Sequence, residues 1–181
     1  MNALIFLIES FARLYMLAFL LRLLLQIARA DFYTPIPQLI VQITNPLVVP
    51  ARRIIPSIRR FDLPTLVVLV LLQLAITVVV SALRGFNIPL NFLLWSVIFS
   101  LLRLTVTTYL FCIFVYVILS WFPQGRYHPI TVLLGQLVDP VLRPARRLLP
   151  PVSGIDLSPL ITAIFLWAAL IALSDLQRVI M

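Results

Sequence analysis

Lysine is absent from this chain of 181 residues, cysteine and histidine occur once each, and glycine only four times. The single cysteine, Cys112, lies in an apolar run and excludes a disulfide framework or a thiol pair for redox or metal chemistry. The one histidine, His128, has no carboxylate or cysteine near it in sequence and reads as a loop residue without a special role. Four glycines leave no loop to cradle a phosphate, and neither a Ser/His/Asp set nor metal-ligand spacing appears. The expectation is a protein that is not an enzyme and holds no metal or cofactor.

Acidic residues are also scarce, six against 14 arginines, for a formal net charge of +8. The arginines flank apolar segments instead of forming a solvated stripe, so a nucleic-acid partner is not expected. Hydrophobicity is what the chain has in abundance. It is 62% apolar with a mean hydropathy of +1.12, against about 45–50% apolar in soluble domains. This composition belongs to a membrane.

Crossing about 30 Å of hydrocarbon takes about 20 helical residues. Four stretches approach that length: residues 3–27, 63–83, 101–122 and 157–173. The last is short and would need thinned lipid or snorkelling ends. The apolar run before the third begins near Ile88, and its part before Arg103 is expected at or beyond the interface. Ala28-Arg29-Ala30 imitates a signal-peptide cleavage site, but the first twelve residues carry no positive charge, and the stretch reads as a retained transmembrane helix.

The chain also writes one pattern twice. At an offset of 94 residues, 45–66 and 139–160 are identical at nine of 22 positions without a gap. The shared motif is Asn/Asp-Pro-x-x-x-Pro-Ala-Arg-Arg, two aliphatics and Pro. It is carried by Asn45, Pro46, Pro50, Arg52, Arg53 and Pro56, and again by Asp139, Pro140, Pro144, Arg146, Arg147 and Pro150. Asp62 and Asp156 follow, and the second copy continues with Ser158 and Pro159. The fold expected is an all-α membrane protein of four transmembrane helices, built from two parallel helix-loop-helix repeats, residues 1–87 and 88–181, with short interfacial helices rich in Pro and Arg.

Two spans per copy place both motif loops on one face. Together the loops hold nine of the 14 arginines, so the positive-inside rule puts them in the cytoplasm and both termini outside. Asn45 and Asp139 are expected to be helix N-caps followed by Pro, with Pro50 and Pro144 breaking the segment into short turns. Arg52, Arg53, Arg143, Arg146 and Arg147 are the candidate contacts. They would act as topology signals and anchors to anionic lipid headgroups, or as a ligand, ion or partner site. Asp62 and Asp156 would cap the following helices or pair with Arg53 or Arg147. Within the spans, Glu9 and Arg13 are spaced to pair with each other, Arg22 to snorkel outward, and Gln73 to bond a neighbouring helix.

The duplicated motif, with Trp121-Phe122-Pro123 closing the third span, resembles the YggT family of small bacterial membrane proteins, related to the YlmG proteins of Gram-positive bacteria and plastids. In the first copy Pro64-Thr65 stands where the family has Ser-Pro. The resemblance implies a bacterial inner-membrane protein supporting osmotic-stress tolerance and potassium homeostasis, as a small oligomeric channel-like unit or as a modulator of a transporter. The alternative it implies is a scaffold that recruits membrane-protein partners for division or complex assembly through the arginine loops. It carries no catalytic residues.

Overall fold

The computed structural model describes residues 2–57, 62–85, 89–122, 128–148 and 156–180. Ile88, Pro123 and Pro150, named above, lie outside them, as do Arg59, Arg60 and Arg126, three of the nine loop arginines. The described residues form six helices: α1 Asn2–Ile27, α2 Pro35–Ile54, α3 Leu63–Leu83, α4 Leu90–Ser120, α5 Pro129–Leu148 and α6 Ser158–Ile180. Four of them, α1, α3, α4 and α6, are long and apolar enough to cross a membrane, which is compatible with a multi-pass membrane protein.

Two spans differ from expectation in length. The fourth runs for 23 residues, because Ser174, Asp175 and Gln177 continue the helix beyond its most apolar part, so the short-span problem does not arise. The apolar run before Arg103 is continuous with the third span in a helix of 31 residues, about 46 Å long, more than the thickness of the hydrocarbon requires.

The larger departure concerns the motif segments. They are not broken into short turns, since each is one helix of 20 residues with two prolines inside it. Proline in a helix interior removes one N–H and crowds the carbonyl four residues back. Here the pairs Pro46/Pro50 and Pro140/Pro144 are each four apart and exposed, so both freed carbonyls face outward on one side of the helix. The opposite stripe is buried: Ile40, Thr44 and Val48 on α2, and Leu137, Val138, Leu142 and Ala145 on α5. Packing of that stripe offsets the lost hydrogen bonds. Helix α2 stops where expected, since Ile55 before Pro56 is extended and its N–H closes the last turn on the Ala51 carbonyl at 2.9 Å.

The core occupies one end of the molecule. The last turns of α1 bury Phe19, Leu20, Leu23, Leu24 and Leu25 against Val48 of α2, Leu69 of α3, Ile113 of α4 and Leu137, Val138 and Leu142 of α5. Helix α1 packs on α2 and α3, α4 packs on α5 and α6, and α3 packs on α4. At the core end, the starts of α2 and α5 meet around a small apolar crevice lined by Thr34, Pro35, Ile36, His128, Pro129 and Ile130. Close by, the Asp31 backbone N–H reaches the Gln136 side-chain oxygen at 3.4 Å. The first half of α1, the end of α3, the start of α4 and the end of α6 enclose a cleft at the opposite end. Helices α1 and α4 therefore run one way and α3 and α6 the other, with both motif helices at the core end.

Candidate functional site

Two clusters of arginine and aspartate form at the core end. In the first, Asp62 precedes α3 and is 2% exposed. Its Oδ2 accepts from Arg52 Nη2 at 2.6 Å and from the Thr65 hydroxyl at 2.7 Å, with Arg22 Nε at 3.7 Å. Arg22, 4% exposed, donates to Thr44 Oγ1 at 2.6 Å and Asn45 Oδ1 at 3.1 Å. It does not snorkel. A buried guanidinium needs counter-charge and acceptors, and the proline-bearing helix delivers two of the acceptors. Asn45 is accordingly no N-cap. It sits in mid-helix, turned toward α1.

The second cluster keeps one pair and changes the rest. Arg146 donates through Nε to Asp156 Oδ2 at 3.0 Å, the same ten-residue spacing as Arg52 to Asp62. Its Nη1 also reaches Asp139 Oδ1 at 2.7 Å, and Arg143 Nε reaches Asp139 Oδ2 at 2.7 Å. Asp139 is thus a mid-helix counter-ion, not a cap. Tyr116 occupies the position of Arg22 at the 94-residue offset, as Asp139 does that of Asn45. The second cluster so balances two arginines with two aspartates, whereas the first sets Arg22 and Arg52 against Asp62 alone.

Both aspartates pair with the first arginine of the doublet, not the second. Burial opposes the charge on Asp62, but hydrogen bonds from Arg52 and Thr65 and the charges of Arg52 and Arg22 hold its carboxyl below the usual range. Burial likewise opposes Asp156, outweighed by the Ser158 backbone N–H at 2.9 Å and by Arg146. That N–H contact is the helix capping expected of Asp156, and at Asp62 the Thr65 hydroxyl takes the corresponding place. Ser158 and Pro159 open α6 as buried residues. Arg53 and Arg147 are exposed and form no ion pair among the described residues.

The cleft at the other end has a volume of about 770 Å³, within the range of small-molecule sites. Its wall includes Glu9, Arg13, Gln73, Thr77, Arg84 and Arg103. Glu9 does not pair with Arg13. It accepts from Arg84 Nη2 at 2.6 Å, because the end of α3 brings that arginine across. Arg103 reaches Gln177 Oε1 at 3.2 Å, and Gln73 donates to Thr77 of its own helix at 3.2 Å instead of to a neighbouring one. Arg13 is left exposed with no counter-charge among the described residues. It is the twelfth of the 26 residues of α1, and an arginine at the centre of a spanning helix costs about 2.5–3.5 kcal/mol on insertion scales.

Sequence reasoning treated these polar residues one helix at a time and missed the cleft. A signal was present: Glu9/Arg13, Gln73/Thr77 and Arg103/Thr107 are each four apart, giving three apolar helices a polar face apiece.

Comparison with known proteins bears on the duplicated motif. An uncharacterised protein of Pseudomonas aeruginosa is 40% identical over 162 residues, covering 88% of this chain and 82% of its own. The uncharacterised YggT of Escherichia coli is 39% identical over 168 residues, 92% of this chain and 87% of its own. A Vibrio alginolyticus relative, also uncharacterised, is 36% identical over 179 residues, 97% and 96% of the two chains. No solved structure matches. The CCB3/YggT family matches residues 1–83 and 95–177, ranges that stand at the 94-residue offset of the motif, and the chain belongs to that family.

Proposed function

We propose that this protein is a two-repeat inner-membrane protein, with units 1–87 and 88–181, that supports ion homeostasis, of potassium in particular, under osmotic stress by modulating a membrane-protein partner. The observation that carries this reading is the division of labour within each arginine doublet. Asp62 and Asp156 fix Arg52 and Arg146, which stiffens the end of each motif helix and presents Arg53 and Arg147 outward. A planar guanidinium on a rigid support suits a carboxylate or phosphate of a partner or lipid headgroup. Arg143 is engaged by Asp139, so headgroup or partner contact falls mainly to Arg53 and Arg147. Both termini lie outside, with the doublets in the cytoplasm, following the positive-inside rule.

A channel-like version, assembled as a homo-oligomer, is less favoured by the charge of the cleft. Arg13, Arg84 and Arg103 outnumber Glu9 there, and the resulting positive potential opposes a cation.

The test pairs a strain lacking the protein with purified protein in liposomes. Wild type is expected to restore growth at high osmolarity and the R53Q/R147Q variant to fail, while the liposomes pass no more potassium than protein-free ones. Protein-dependent potassium flux would establish the channel version instead. Unimpaired growth of the deletion strain, with a defect in division or complex assembly, would move the assignment to the scaffold reading.

A further inference from the structure

The cleft between α1, α3, α4 and α6 belongs to neither arginine corner, and its chemistry is specific. Its positive groups are unevenly used. Arg84 is neutralised by Glu9, Arg103 spends one N–H on the neutral Gln177, and Arg13 has no counter-charge among the described residues. The threonine hydroxyls cannot serve as donors to an anion. Thr77 donates to the Gln73 carbonyl at 2.7 Å and Thr107 to the Arg103 carbonyl at 2.8 Å, both within their own helices. The cationic donors of the cleft not already neutralised by a carboxylate among the described residues are therefore Arg13 and Arg103, and a group with several acceptor oxygens is what two such forks recognise.

Size and wall chemistry narrow the ligand further. A free inorganic anion would fill a small part of about 770 Å³, and Met16, Ile76, Val80, Phe92 and Leu104 offer it nothing. An amphiphile uses both parts of the wall. We propose that this cleft binds an anionic phospholipid, its phosphate between Arg13 and Arg103 and its acyl chains along the apolar wall. The sign of the charge fits, because the cleft carries a surplus of two positive charges over Glu9, of which one phosphodiester neutralises one. The site is independent of the arginine corners and of any role given to them.

The experiment uses the full chain in nanodiscs of phosphatidylcholine alone, or with phosphatidylglycerol, with inorganic phosphate added to the neutral discs as a separate arm. Wild type is expected to melt at a higher temperature with phosphatidylglycerol and to retain that lipid in native mass spectrometry. R13Q/R103Q is expected to lose both responses and R178Q, at an exposed arginine outside the cleft lining, to keep them, while inorganic phosphate has no effect. If R13Q/R103Q does not fold, R13Q alone is read, since Arg13 forms no ion pair whose loss would unfold it. An unchanged lipid response in R13Q/R103Q or R13Q overturns the site. Stabilisation of wild type by inorganic phosphate to the same extent overturns the lipid and leaves a site for a soluble anion.

Discussion

Asp62 and Asp156 occupy equivalent positions in sequence, yet their substitution should not cost the same. Asp62 is 2% exposed and is the one carboxylate facing Arg22 and Arg52. Removing one member of a buried pair strands the other, so Asp62→Asn is expected to cost about 3–5 kcal/mol. Asp156 is 37% exposed, and Arg146 keeps Asp139 as a second partner, so Asp156→Asn should cost about 1 kcal/mol. Chemical denaturation of the two variants in the same detergent measures the difference, and equal losses would show that the first corner is no more buried in effect than the second. The pH dependence follows from the same pair. The folded carboxyl of Asp62 lies below its unfolded value, so its contribution is complete above about pH 4 and is lost as pH falls through the folded value. Wild type should therefore lose stability below about pH 4 more steeply than Asp62→Asn.

Helices α2 and α5 owe their place to packing and not to intrinsic preference. Each carries two internal prolines, which an isolated helix of this length would not tolerate well. What holds α5 is close approach to α4. A Cβ at Gly135 would stand 3.4 Å from the ring of Tyr116, so the glycine is there for fit, not for an unusual backbone angle. Gly135→Ala should be accommodated, whereas Gly135→Leu should force α5 from α4 and cost about 1–3 kcal/mol. Because α5 carries Arg146, the leucine variant should also draw that arginine from Asp156, seen as a smaller penalty for Asp156→Asn in that background.

The whole molecule is tight at one end and open at the other. Core residues gather where the motif helices pack, and polar residues of four helices gather in the cleft opposite. The orientation proposed for this arrangement has a direct check. A cysteine at position 57 should resist labelling from outside intact cells, and one at position 180 should react, once Cys112 is replaced by alanine. The reverse pattern would place the arginine doublets outside and remove a cytoplasmic partner.

Four of the elements were legible in the sequence because a membrane span is set by local arithmetic, about 20 apolar residues against a fixed hydrocarbon thickness. The shared end of the two motif segments was legible for a similar reason, since a repeat at constant offset and an even number of spans fix which segments correspond, but the arginine that each aspartate takes, the first of its doublet and not the second, was not. The continuity of α2 and α5 was not. Proline's cost is local and visible, whereas the packing of Val48, Val138 and Leu142 that outweighs it depends on neighbours distant in sequence. Pairing of charges was decided the same way. Spacing allowed Glu9 to meet Arg13, and the end of α3 supplied Arg84 instead. Spacing let Arg22 reach the surface, and the packing of α2 on α1 enclosed it with Thr44, Asn45 and Asp62. Hydropathy is a property of segments and can be read along the chain, but the partner of a buried charge is whichever group the fold brings within a few ångströms, and only the tertiary structure decides that.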